Sequence, residues 1–139
     1  LLKKNKIKVI VKPHPDIDDK FQNRLLKICQ KRFLFSNKKL NEIIKKVDLV
    51  ISTSSSTSIE AIFYGKPVIS PVNSNLLVDS PIIGLIEKKY YDISYDAEDL
   101  EKKIMKYLFK KKTYNFNVQK IKKRILNHKE KIKFLNLIS

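Results

Sequence analysis

Two stretches of this sequence carry side chains that a plain connection does not need. Ser52-Thr53-Ser54-Ser55-Ser56-Thr57-Ser58 is an unbroken run of hydroxyls, followed by one carboxylate, Glu60, and closed by Gly65-Lys66-Pro67. Lys12-Pro13-His14-Pro15 sets a histidine between two prolines directly after Ile7-Lys8-Val9-Ile10-Val11. Small hydroxyl donors at a helix start suit an anion. The first backbone N–H groups have no intrahelical partners, and the macrodipole adds about half a positive charge. Ser54, Ser55 and Ser56 would offer a phosphate short donors without steric bulk. Each stretch also has a plainer reading. Thr57-Ser58-Ile59-Glu60 fits a capping box, with Thr57 capping the Glu60 amide and Glu60 reaching back, and one hydroxyl suffices for that. A histidine between prolines can be an ordinary loop residue. Position and composition leave both choices open.

The elements that would carry these groups alternate. Ile7–Val11 is short, β-branched and stopped by two prolines, which suits a strand opening into a loop at its carboxyl end. Asp16 to Asp19 supply carboxylates for the start of a helix running through Phe21, Leu25, Leu26, Ile28 and Cys29. Phe33-Leu34-Phe35 predicts a second strand. Leu40, Ile43, Ile44 and Val47 share one helical face, and Asp48 to Ser52 predicts a third strand. After the hydroxyl run come a helix through Ile59, Ile62 and Phe63, a stop at Gly65, and a strand over Pro67 to Ser70. Residues 71 to 95 are less regular, with one more short strand expected near Ile82 to Ile86. A helix from about Asp96 to Lys110 carries Leu100, Ile104 and Leu108 on one face. Lys110 to Thr113 separates it from a last segment, Val118 to Ile138, whose stripe is Val118, Ile121, Ile125, Ile132 and Leu135. Strict alternation of this kind marks a parallel sheet covered by helices.

The 139 residues allow one domain with a proper core. The longest apolar runs fall far short of the roughly 20 residues of a membrane span. The chain lacks an initiating Met and any visible targeting peptide, and reads as a piece of a longer protein. Cys29, the single cysteine, cannot form an internal disulfide and is expected as a buried thiol in a reducing, cytoplasmic setting. The formal charge of +16 looks like a nucleic-acid signal, yet only three of the 30 basic residues are arginine, and there is no Trp. Bidentate base contacts and stacking platforms are therefore scarce, and an AT-rich coding bias explains the lysines. The charge is also uneven. Residues 101–139 hold 13 basic and 2 acidic groups, whereas 1–100 hold 17 and 12.

In their order and spacing, Lys12-Pro13-His14-Pro15, Asp48 to Ser56, Glu60-Ala61 and Gly65-Lys66-Pro67-Val68-Ile69 resemble the C-terminal domain of GT-B fold glycosyltransferases. More narrowly, they are similar to bacterial surface-polysaccharide enzymes: polysialyltransferases, lipooligosaccharide sialyltransferases, capsule Kdo transferases and CDP-glycerol glycerophosphotransferases. The resemblance covers roughly residues 7 to 71, about half the chain. It implies an α/β fold, a Rossmann-like parallel sheet with helices on both faces, followed by C-terminal helices. Residues 1–112 would form the donor-binding domain, and 113–139 a basic amphipathic helix packed on it. His14 matches the His-Pro histidine that meets the donor phosphate and assists departure of the nucleotide, the catalytic role. Ser55 and Ser56 match the serine pair on the same phosphate. Glu60 matches the acid near the nucleotide ribose, where the CDP-glycerol enzymes differ. Lys12, Pro15, Ser54 and Thr57 complete the expected donor-binding set. A CMP-activated sugar is the favoured donor. No cofactor is implied, and no His, Cys or Asp set has the spacing of metal ligands.

In the resembling enzymes the acceptor site and general base belong to an N-terminal domain, and no Asp or Glu here takes that task. Asp16, Asp18 and Asp19 read as helix-start charges. The chain is thus expected to grip a nucleotide-activated sugar as half of an enzyme, with the acceptor domain elsewhere. Two rivals stand beside this reading. A nucleotide-sugar epimerase of the same fold would bring more carboxylates and histidines, and His128 is the only other histidine. A non-enzymatic basic module would bind membrane or nucleic acid. The tail, Val118 to Ile138, pairs an apolar stripe with a lysine-rich face. It is expected to pack on its own domain and to touch the anionic inner face of the plasma membrane weakly.

Overall fold

The computed structural model describes residues 7–14, 16–29, 33–53, 56–72, 86–109 and 117–127. Pro15, Ser54, Ser55, the Cys29 side chain, all but the end of the strand expected near 82–86, the 110–113 separator, His128 and the stripe beyond 127 fall outside them. The chain is mixed α/β and divides into two units, Leu1–Ile43 and Ile44–Ser139.

In the first unit, β1 (Ile10–Val11), α1 (Asp19–Cys29) and β2 (Leu34–Phe35) form one parallel β-α-β unit. Ile10 lies opposite Leu34 and Val11 opposite Phe35. β1 is shorter than the expected Ile7–Val11, although the Val9 carbonyl still accepts the Leu34 N–H at 2.9 Å. Asp18 caps α1, its Oδ1 accepting the Phe21 N–H at 2.7 Å. Leu25 and Leu26 are half-buried, whereas Phe21 and Ile28 are exposed. The short α2 (Leu40–Ile44) spans the division and carries buried Ile43 and Ile44.

The second unit contains β3 (Val50–Ile51), α3 (Ser56–Phe63), β4 (Val68–Pro71), a 3-10 turn (Lys88–Tyr90), β5 (Tyr91–Ser94), α4 (Ala97–Phe109) and α5, a helix over 118–127. Its sheet is parallel throughout, in the order β3-β4-β5. β4 is the middle strand. Val68 and Ile69 are both 0% exposed, and successive strand residues face opposite ways, so both faces of the sheet are covered at β4. α3 packs on β3 and β4, and α4 on β4 and β5. Ala61, Ile62, Tyr91, Ile121 and Ile125 complete this core. The apolar stripe of α5 is therefore used internally.

α3 ends where its sequence stops it. Gly65 has φ 70°, the Lys66 N–H reaches the Ala61 carbonyl at 2.9 Å, and the Gly65 N–H reaches the Ile62 carbonyl at 2.9 Å. These are the two bonds of a Schellman stop, which needs a left-handed residue at Gly65. β5 is a departure from expectation, since no strand was predicted at Tyr91–Ser94. β4 begins and ends one residue later than the predicted Pro67–Ser70.

Candidate functional site

In a parallel sheet every strand delivers its carboxyl end to the same edge, and ligands bind outside that edge. In the first unit this edge carries Lys12, Pro13 and His14 directly after β1. The Ile17 N–H bonds the His14 carbonyl at 3.2 Å, which turns the chain toward the Asp18 cap. The His14 side chain is 64% exposed. Its Nδ1 accepts the Asp16 N–H at 3.3 Å and lies 3.5 Å from the Asp16 carboxylate. A neutral ring accepting at Nδ1 carries its proton on Nε2, ready to donate, and in the charged ring Nδ1–H faces Asp16 instead. Lys12 is exposed beside it.

In the second unit the carboxyl edge of its own sheet is rich in hydroxyls. Ser52 and Thr53 leave β3, and Ser56, Thr57 and Ser58 open α3. Ser58 is 0% exposed, and its Oγ donates to the Thr53 carbonyl at 3.5 Å, folding the loop onto the helix start. The Ser52 Oγ donates to the same carbonyl at 3.4 Å. Ser56 is exposed and Thr57 half-buried, and both sit in the first turn of α3. The capping-box reading, one of the two left open for this run, is corrected here. α3 begins at Ser56, so Thr57 is already its second residue and not its N-cap. Glu60, the fifth residue of α3, is then too deep for the reciprocal bond from the third. Glu60 is half-buried, and its carboxylate has no ion-pair or hydrogen-bond partner among the described residues.

Two further hydroxyls on this edge were not foreseen. Ser70 lies in β4 and Ser94 closes β5, both buried, and Ser94 stands opposite Pro71 in the ladder. The Ser94 Oγ has no hydrogen-bond partner among the described residues. A polar atom sealed away without a partner is costly, which sets Ser94 apart from Ser58. The signal for β5 lay in Tyr90-Tyr91-Asp92-Ile93, aromatic and β-branched, just before the helix cap Asp96.

The carboxylates of the β5–α4 junction are structural. Asp96 Oδ1 accepts the Asp99 N–H at 2.7 Å, and Lys106 pairs with Asp92 at 2.8 Å. Lys103 holds Asp99, and this hydrogen bond lowers the Asp99 pKa below the usual carboxylate value against the opposing effect of burial. Among the described residues no group of three or more His, Cys, Asp or Glu could hold a metal ion. No described helix is long and apolar enough to cross a membrane. No known family model matches the chain, and no curated protein or solved structure does so either.

Proposed function

We propose that the chain is the donor-nucleotide-binding part of a bacterial glycosyltransferase of the GT-B type, acting on a nucleotide-activated sugar in surface-polysaccharide synthesis. A CMP-sugar is the favoured donor. The observation that carries the reading is the amino end of α3, which opens beside a run of hydroxyls at the carboxyl edge of parallel strands. A helix start, whose first N–H groups lack intrahelical partners, together with its dipole and hydroxyl donors suits a phosphate. On this reading residues 1–112 are a Rossmann-like domain, 113–139 its C-terminal helix, and the acceptor site and general base belong to a separate domain.

The chemistry asked of these residues is electrostatic. Breaking the bond between the sugar and the phosphate leaves a nucleotide anion, and donors fixed before the reaction stabilise the charge as it develops. Ser56, Thr57 and the first amides of α3 bind the phosphate, with Ser54 and Ser55 as the adjoining hydroxyls. His14 donates from Nε2–H, because its Nδ1 is turned to Asp16. Glu60, without a hydrogen-bond or ion-pair partner among the described residues, accepts from a ribose hydroxyl. Lys12 and Pro15 frame the histidine.

Calorimetry of CMP against cytidine tests the proposal. CMP is expected to bind more tightly than the nucleoside, and His14→Ala to narrow the difference. Equal affinities for CMP and cytidine would refute the phosphate assignment.

A further inference from the structure

The apolar stripe of α5 is spent inside its own unit, where Ile121 and Ile125 are buried. What the helix leaves outside is cationic. Lys120, Lys122, Lys123 and Arg124 are all exposed, and residues 118–127 contain no Asp or Glu. Among the described residues the ion pairing of this group is confined to Glu87, 3.9 Å from Lys120. Leu126, three and four positions beyond Lys123 and Lys122, shares their side of the helix and is 60% exposed. Ammonium groups and an apolar side chain thus meet on one outward face.

This face is distinct from the anion site proposed above. The Lys122 ammonium lies 5.6 Å from the centroid of the Phe63 ring, at the carboxyl end of α3. The start of α3 at Ser56 is at the other end of that helix, about 10 Å away at 1.5 Å per residue. A cation at the Phe63 end lies a helix length from Ser56 and has no part in the proposed phosphate site.

Charge complementarity calls for an anionic partner, and the surroundings select its class. Nucleic-acid readers stack bases on open aromatic faces. Among the described residues the one ring seen against this helix, Phe63, is already covered by Lys122. A bilayer needs no stacking platform. It attracts lysines through its diffuse surface potential and accepts an exposed leucine at its boundary. We infer that the Lys120–Arg124 face of α5 docks this protein on an anionic lipid surface. The contact is reversible and salt-sensitive, because the isoleucines that could insert are held in the core.

The test is co-sedimentation of the full chain with vesicles of phosphatidylcholine plus phosphatidylglycerol, and with phosphatidylcholine alone, over a salt series. The variant Lys120→Ala, Lys123→Ala, Arg124→Ala spares Lys122, which covers Phe63. A control with Lys8→Ala, Lys20→Ala and Lys39→Ala, all exposed, has the same net charge. Binding is expected only to the anionic vesicles, to weaken with salt, and to fall roughly 100-fold in the α5 variant but far less in the control. The charge-preserving Lys120→Arg, Lys123→Arg protein should bind like the parent, which separates loss of charge from loss of fold. Equal losses in the α5 variant and control would overturn the inference. So would equal binding to neutral vesicles, or tighter binding to single-stranded RNA than to the anionic vesicles.

Discussion

Lys103 hydrogen-bonds the Asp99 carboxylate one turn away on α4, and the same ammonium reaches the Ile93 carbonyl in β5. Asp99 in turn accepts the Tyr95 N–H at 3.1 Å, so two side chains fasten the last helix of the β-α junction to the strand before it. The Lys103 hydrogen bond holds the Asp99 pKa below that of the unfolded chain, with the Tyr95 N–H acting in the same direction. A carboxylate depressed by folding adds stability that is present above its unfolded pKa and lost as pH falls through the folded value. Urea midpoints should therefore decline below about pH 4, the ordinary Asp range. Asp99→Asn should lower the midpoint at neutral pH and make this acid decline shallower. An unchanged acid slope in that variant would show that Asp99 does not contribute.

Gly65 should resist replacement. Its φ of 70° completes the Schellman stop of α3, and a Cβ in that left-handed region costs about 1–2 kcal/mol. Gly65→Ala is expected to lose that amount in denaturant unfolding and Gly65→Asn less. Equal losses from the two would mean that backbone conformation is not the cause.

Glu60 separates a structural carboxylate from a ligand contact. Because it lies outside the capping position, Glu60→Gln should change stability by less than about 0.5 kcal/mol. On the proposed function it should weaken CMP binding while leaving the melting temperature in place. The opposite pattern, a lower melting temperature with intact binding, would remove Glu60 from the site.

Ser94 and Ser58 are both buried but should respond in opposite ways to alanine. Ser58→Ala deletes a bond to the Thr53 carbonyl and should cost about 1 kcal/mol. Ser94→Ala deletes a hydroxyl without a partner among the described residues and should be neutral or stabilising by up to about 1 kcal/mol. Thermal unfolding of the pair checks this, and a marked loss of stability in Ser94→Ala would mean that its hydroxyl is bonded after all.

The sequence was most informative where the local chemistry has one solution. The Ile59, Ile62 and Phe63 spacing and Gly65 located α3 and its end, and Asp96 located the start of α4. The position of His14 after β1 and of the hydroxyl run after β3 followed from short apolar strands closed by polar loops. The start of α3 could not be chosen in advance, because every residue from Ser52 to Ser58 is a competent cap. β5 escaped because Tyr91-Asp92-Ile93-Ser94 holds only two apolar residues, and its pairing with β4 is a long-range contact. Ser94 escaped with it: nothing local marks a lone serine at a strand end as buried. The apolar spacing of Ile121 and Ile125 did point to the internal packing of α5.

The order β3-β4-β5 has a bearing on how the second unit is made. Among the described residues each strand of this sheet pairs with its predecessor in the chain, so none of them has to be inserted between two that are already joined. A polypeptide leaving the ribosome amino end first can close β3 on β4 through α3 while β5 is still untranslated. Domains generally fold as they emerge, and nearby pairings close faster than distant ones. β4, with apolar residues on both faces, would then wait with one edge open until Tyr91–Ser94 arrives, and Pro71 at its end offers no N–H to a stray strand.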